Sequence, residues 1–433
     1  MAEVPSIAGM KLLVLITLFF SILLSARAGN VIFIHPDGAG IAHWQAARFF
    51  FRGPDGELNW DRLPHIAVYR GHMKDNLTAT SNGGATVHAF GVKVPAAAFG
   101  SDGVSAQPPI AAGGKTESLM TEAKSQGFKI GIINSGSIIE PGTAAFLSSV
   151  ADRKLNAQIA RQIIESGADV ILSGGEEWFL PENQTGRHGK SGSRKDGRDL
   201  VARARELGYT IVYDRRELAA VPPETTRLLG IFAAAHTFND QIQSDLDARG
   251  LPYYVPDAPT LAEMTAKTLE LFAGKKFFLV VEEEGSDNFG NYNNARGVLE
   301  SLARADEAFG VALSHVEKNS DTLLITAADS EAGGMDVIGL DGSEIQNAIA
   351  DNGRDKNGAP YSLYEKGYPF QSAPDQFGKR HPFLITWATL QDTSGGIVVR
   401  ASGLNAEKVR GSFDNTRIYR LMRETLFDSK TTP

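Results

Sequence analysis

An α/β fold, with a large and mainly parallel central sheet covered by helices on both faces, is predicted by three features of this 433-residue chain. Short apolar runs rich in β-branched and aromatic residues read as buried strands. They alternate with amphipathic helical segments, the signature of a parallel sheet. Several of them also end in carboxylates and amides. The clearest is Phe277-Phe278-Leu279-Val280-Val281, followed at once by Glu282, Glu283, Glu284, Asp287 and Asn291. In open α/β sheets ligands bind beyond the carboxyl ends of the strands, so hard oxygen donors gathered there predict a metal site; a solvated acidic loop is the plainer alternative.

With 42% hydrophobic residues the chain can build a large core. No Pro/Ser-rich linker and no internal repeat divides it, so residues 29–433 are expected to form a single large domain with insertions. A formal net charge of −8 argues against a nucleic-acid surface. The basic residues from Arg187 to Arg198 are interleaved with Gly and Ser, as in a loop. The chain has no cysteine, which excludes disulfides, thiolate ligands and thiol nucleophiles. Residues 1–28 are set apart as a signal peptide: Lys11 precedes the apolar run Leu12–Leu24, and Ala26-Arg27-Ala28 offers a cleavage site. That run is short for a membrane span, so the expectation is a periplasmic or secreted protein with no stable span after cleavage; an uncleaved anchor is the alternative.

In chain order, Asn30–Ile34 is a strand, ending at Asp37-Gly38-Ala39-Gly40. A helix is expected to begin just after Ser81 and to end near Gly91. Ser81 could serve as its N-cap, or as a nucleophile where a helix N-terminus receives phosphate. Helix 117–126 leads to strand 129–134, then to Glu140 and Arg153. Strands at 169–173, 210–213 and 230–233 alternate with helices at 200–207 and 261–272. After the acidic stretch come helix 296–316 and strand 322–326, which ends in Asp329-Ser330-Glu331. The segment of about 336–378, rich in Gly, Pro, Asn and Asp, reads as a loop-rich insertion. Strands at 382–387 and 397–401, with Asp392 between them, and a helix over 416–426 complete the chain.

Six motifs in register then resemble the alkaline phosphatase family, over about Asn30 to Phe427. They are Asp37-Gly38-Ala39-Gly40; Thr80 to Lys93, with Ser81 at the nucleophile; Gly142-Thr143-Ala144-Ala145-Phe146 followed by Arg153; Glu282 to Asn291; Ala327 to Gly334; and Asp414-Asn415-Thr416-Arg417-Ile418. The three histidines that hold the family's two zinc ions are absent: Asn291, Ser330 and Asp392 stand in their places. Thr80 replaces the aspartate before the nucleophile, Glu140 an aspartate near the magnesium site, and Gly142 its neighbouring threonine.

The resemblance implies an alkaline-phosphatase-like sheet and hydrolysis of small-molecule phosphate monoesters, with catalytic Ser81 and a phosphate-gripping Arg153. It implies two or three divalent cations. The first would be held by Asp287, Asn291 and Asp392, the second by Asp37, Asp329, Ser330 and the Ser81 oxygen, and the third by Asp37, Glu140 and Glu282. An all-oxygen set favours magnesium or calcium over zinc, the family norm. The resemblance leaves room for a homodimer. Two alternatives stay open: a family member that binds phosphate or metal without turnover, and a phosphodiesterase or sulfatase on the same scaffold. His35, His88 and His381 are given no role.

Overall fold

The computed structural model describes residues 28–350, 353–354, 360–365 and 367–427, without the side chains of 348–350. The proposed leader lies outside the described residues apart from Ala28. The first strands are β1 (Asn30–Pro36), β2 (His65–Arg70), β3 (Lys129–Ser137), β4 (Val170–Gly174), β5 (Thr210–Val212), β6 (Leu228–Ile231), β7 (Phe277–Glu283) and β8 (Thr322–Thr326). Next come β9 (Glu331–Ala332), β10 (Met335–Gly339), β11 (Tyr361–Ser362), β12 (Phe370–Gln371), β13 (Pro382–Trp387) and β14 (Asp392–Thr393). The last two are β15 (Val398–Gly403) and β16 (Gly411–Asp414).

Ten of these strands form one sheet in the order β16-β2-β15-β8-β1-β7-β3-β4-β6-β5. All neighbours run parallel except β15, which is antiparallel to both β2 and β8. The expected large, mainly parallel sheet is therefore present. Its central strands are apolar on both sides, as a sheet covered on two faces requires. Val31, Phe33, Phe278 and Val280 face one core layer, with the helices Ser81–Phe90 and Thr416–Phe427. Ile32, Ile34, Leu279 and Val281 face the other, dominated by the long helix Ala295–Lys318.

The structure departs from the sequence expectation in places where pairing is non-local. The run 382–387 is a strand, but it leaves the main sheet to pair with β10, β11 and β12. Thus part of the 336–378 segment builds a small antiparallel sheet, together with the helix Gly342–Ala350. Asp392 lies within a strand of its own, β14, rather than in a connection. Strands β2 and β16 and the helix Ile41–Arg52 carry no sequence expectation. Strand β2 exposes Ile66 and Val68, and β16 is short and half polar, so neither presents a buried apolar run. The helix Ile41–Arg52 buries Trp44, which stacks on Trp60 with ring centroids 4.8 Å apart.

The centre of the sheet carries the molecule. Phe278 of β7 is fully buried and meets Phe146 edge-to-face at 5.9 Å. A Phe278→Ala variant is expected to lose about 3–5 kcal/mol of stability, measured as a lowered denaturant midpoint.

Candidate active site

Parallel register assembles the first part of the site. It sets His35 of β1 beside Glu282 of β7, and Glu282 beside Asn134 of β3. Successive side chains of a strand point to opposite faces. Glu283 accordingly leaves this row and pairs with Arg304 of the long helix at 3.3 Å. The Glu282 carboxylate accepts hydrogen bonds from the Gly142 N–H (3.0 Å), the Thr143 N–H (2.7 Å), the Thr143 hydroxyl (3.1 Å) and the Asn134 amide. Gly142 has to be small: a Cβ there would lie 2.1 Å from Glu282 Oε1 and 2.6 Å from the His35 ring.

Strand β1 delivers Asp37 just past its end. Asp37 Oδ1 accepts from the Gly38 N–H at 2.8 Å, and Ser81 and Asp329 both act on the same carboxylate. Ser81 is the first residue of the helix Ser81–Phe90. The capping task falls to Thr80, whose hydroxyl accepts from the Gly83 N–H at 3.3 Å, so the helix begins one residue earlier than expected and the Ser81 hydroxyl is left free for the site. The helix approaches Asp329 closely because residue 84 has no side chain; a Cβ on Gly84 would fall 2.3 Å from Asp329 Oδ2. Ser330 donates to Asp329 Oδ1 at 3.3 Å.

The third part comes from the short helix Gly285–Asn291. Asp287 and Asn291, four residues apart, share a face, and the Asn291 amide donates to both Asp287 oxygens at 3.1 and 3.2 Å. The same amide donates to Asp392 Oδ1 at 3.0 Å. Asp392 arrives through the pairing of β14 with β9, the strand that directly follows Ser330. The residues standing where the family has histidines are thus brought to one place.

Glu140 and Arg153 complete the rim. Their ion pair measures 3.4 Å, with the arginine side chain 50% exposed, and His236 lies 3.9 Å from the other Glu140 oxygen. Eight of the ten predicted site residues lie together around Asp37, and Glu140 with Arg153 stands at the rim, where Glu140 acts electrostatically on Glu282. It also adds residues that sequence reasoning left out: His35, Glu284 and His236. For His35 a signal was present, because a residue two before Asp37 shares its face of the strand. His88, by contrast, is spent on Tyr69 at 2.8 Å, and His381 on Asp375 at 2.8 Å.

Electrostatics mark this as a place built for positive charge. Burial, reinforced by neighbouring carboxylates, pushes Asp287, Asp329 and Glu284 well above the usual carboxyl range and raises Asp392 as well. Burial likewise pushes Glu282 up to about 7, against the pull of His35. Burial opposes charge on His35, yet Asp37, Asp329 and Glu282 carry its imidazole up to about 10. Burial also opposes charge on Asp37, but His35, together with hydrogen bonds from Asp329 and Ser81, outweighs it and holds that carboxyl at about 2. Among the described residues, Asp37 Oδ2, Asp329 Oδ2, Glu284 Oε2 and Asn291 Oδ1 are buried without a hydrogen-bond partner. Buried charge of this kind demands a counter-charge or a metal, and His35, Asp37 and Glu282 place possible ligand atoms within 4.8 Å of one another. The donor set fits divalent cations.

The alkaline phosphatase family model matches residues 28–427. This chain belongs to the alkaline phosphatase family. The alkaline phosphatase of Gadus morhua is 28% identical to it over 342 residues, 70% of this chain and 69% of that protein. That of Escherichia coli (strain K12) is 27% identical over 343 residues, 70% of each chain. Streptomycin-6-phosphate phosphatase from Streptomyces griseus is 25% identical across 96% of this chain and 95% of its own. The solved alkaline phosphatase of Thermus thermophilus superposes with a TM-score of 0.71 at 23% identity, covering 95% of this chain and 93% of that one. The enzyme from the Antarctic bacterium TAB5 does so at 0.69 and 20%, covering 92% and 99%. These structures share the fold, and family membership supports phosphatase function. No helix among the described residues is long and apolar enough to cross a membrane.

The raised carboxyls set the sign of the pH response. Above its unfolded value of 4.5 and below about 7, folded Glu282 binds more proton than the unfolded chain does, so stability falls as pH rises through that window. Melting curves of chelator-stripped protein from pH 4.5 to 7.5 are expected to show this decline, and added dication is expected to flatten it.

Proposed function

We propose that this chain is an exported, metal-dependent phosphatase that hydrolyses small-molecule phosphate monoesters through Ser81 and a phosphoserine intermediate. The observation that carries this reading is a serine at a helix N-terminus beside buried carboxylates that each keep one oxygen without a partner among the described residues. Asp287, Asn291 and Asp392 are assigned to one cation position; Asp37, Asp329 and Ser330, with the Ser81 oxygen, to a second; and Asp37, Glu140 and Glu282 to a third. When bound, paired dications lower the pKa of an attacking hydroxyl and stabilise the charge on the leaving oxygen.

The chain's own residues do the rest. Ser81 Oγ attacks phosphorus in line as the ester oxygen leaves, and water then attacks the phosphoserine to release inorganic phosphate and restore the serine. The positive end of the helix Ser81–Phe90 receives the phosphoryl oxygens. Arg153, half exposed and paired with Glu140, swings onto two non-bridging oxygens with its planar fork, a geometry lysine lacks. Because the paired positions contain oxygen donors alone, they favour magnesium or calcium over zinc. Residues 1–28 act as the export leader to the periplasm or the medium.

Hydrolysis of p-nitrophenyl phosphate, restored to chelator-stripped protein one cation at a time, tests this reading. Magnesium or calcium is expected to restore turnover, and Ser81→Ala is expected to lower it by about a thousandfold or more. Wild-type turnover in that variant would remove the covalent step. Stoichiometric zinc at both paired positions in protein purified without added zinc would overturn the metal assignment. Failure to turn over with any of zinc, magnesium or calcium would leave a non-catalytic binding protein.

A further inference from the structure

We infer that His35 is a metal ligand: its Nε2, together with Asp37 and Glu282, forms a nitrogen-bearing third cation position suited to zinc or cobalt rather than magnesium. This deepens the reading above and rests on it. Oxygen-only donors assign the third position to Asp37, Glu140 and Glu282, whereas the structure puts an imidazole among them and turns Glu140 toward Arg153 and His236.

The tautomer follows from a single contact. His35 Nδ1 lies 2.7 Å from the Ala327 carbonyl oxygen, and a carbonyl only accepts, so Nδ1 carries the hydrogen. A ligating histidine is characteristically held this way, with one ring nitrogen donating to a backbone oxygen and the other facing the metal. Nε2 is fully buried and has no hydrogen-bond partner among the described residues. It lies 3.6 Å from Asp37 Oδ1, too far for a hydrogen bond. That separation is about the span of two donors across one ion with bonds near 2.0–2.2 Å.

The surroundings are shaped to the same end. Strand register fixes His35 next to Glu282, whose carboxylate is oriented by four donors, three of them on Oε2 and one on Oε1, so that Oε1 is the less committed oxygen. Gly142 supplies the space, since a side chain there would strike both the ring and that carboxylate. His88 packs edge-on against the ring at 5.7 Å and Phe33 packs tilted against it at 5.8 Å, so the imidazole keeps its direction. Imidazole selects borderline ions where carboxylate alone would select hard ones. A bound cation takes over the lone pair that a proton otherwise occupies, as metal binding at histidine does generally.

Cobalt(II) titration of the chelator-stripped full-length chain tests the assignment, followed by metal stoichiometry and by proton NMR in H2O. The expected result is one strongly shifted, exchangeable N–H resonance, that of His35 Nδ1, with three cobalt ions bound per chain. In His35→Gln the resonance is expected to vanish and the third ion to bind at least about tenfold more weakly, while the first two bind as before. Binding of two or three cobalt ions without a shifted N–H signal in the wild-type chain would overturn the ligand assignment and leave the paired-cation reading standing. Binding of no cobalt at all would overturn both. The wild-type spectrum decides the matter even if the variant misfolds.

Discussion

Mutual repulsion among buried carboxylates is the constraint on which this site depends. Asp37, Glu282, Glu284, Asp287 and Asp329 all lie at the carboxyl edge of a rigid sheet, with water largely excluded. Left uncompensated, each would prefer to be neutral. Each compensation in the structure is local and specific: Arg304 serves Glu283, the His35 ring serves Asp37, the Asn291 amide bridges Asp287 and Asp392, and four donors hold Glu282. What the protein does not neutralise is directed inward, at the place where the Ser81 helix begins. The parallel strands hold these groups together because they are fixed by a core on both sides, and glycines at 84 and 142 permit distances that any side chain would forbid.

Much of this arrangement was legible in the sequence because strand ends are local features. Apolar runs marked β1, β3, β7 and β8, and the carboxylates just beyond them marked the site edge. What escaped was whatever depends on partners distant in sequence. The reversed direction of β15 and the departure of β13 from the main sheet are set by neighbours rather than by their own residues. His35 was hidden by continuity: it extends an apolar strand and resembles the packed histidines more than a donor until register sets Glu282 beside it. The choice between Thr80 and Ser81 as the helix cap is a matter of one residue, below the resolution of any propensity argument.

The departures from the family pattern form a coherent set. Thr80, which stands where the family has an aspartate, uses its hydroxyl to cap the helix and to donate to the Ala96 carbonyl. Arg153 pairs with Glu140, thirteen positions away along the chain. Where the family has threonine, Gly142 makes way for an imidazole that the family pattern does not include. The family's two zinc ions are held by histidines; on the assignment proposed above, this chain sets oxygen donors at those positions and an imidazole at the third.

Strands β9 and β14 pair over only two residues each, Ala332 with Asp392 and Glu331 with Thr393. Together they fasten the neck of a long excursion that leaves beside Ser330 and returns beside Asp392. Once a neck is fastened, the entropy of closing the loop depends only weakly on its length. The excursion is thereby decoupled from the buried carboxylates. Its size and surface can be rebuilt, to widen or narrow the approach, while the site beneath keeps its geometry.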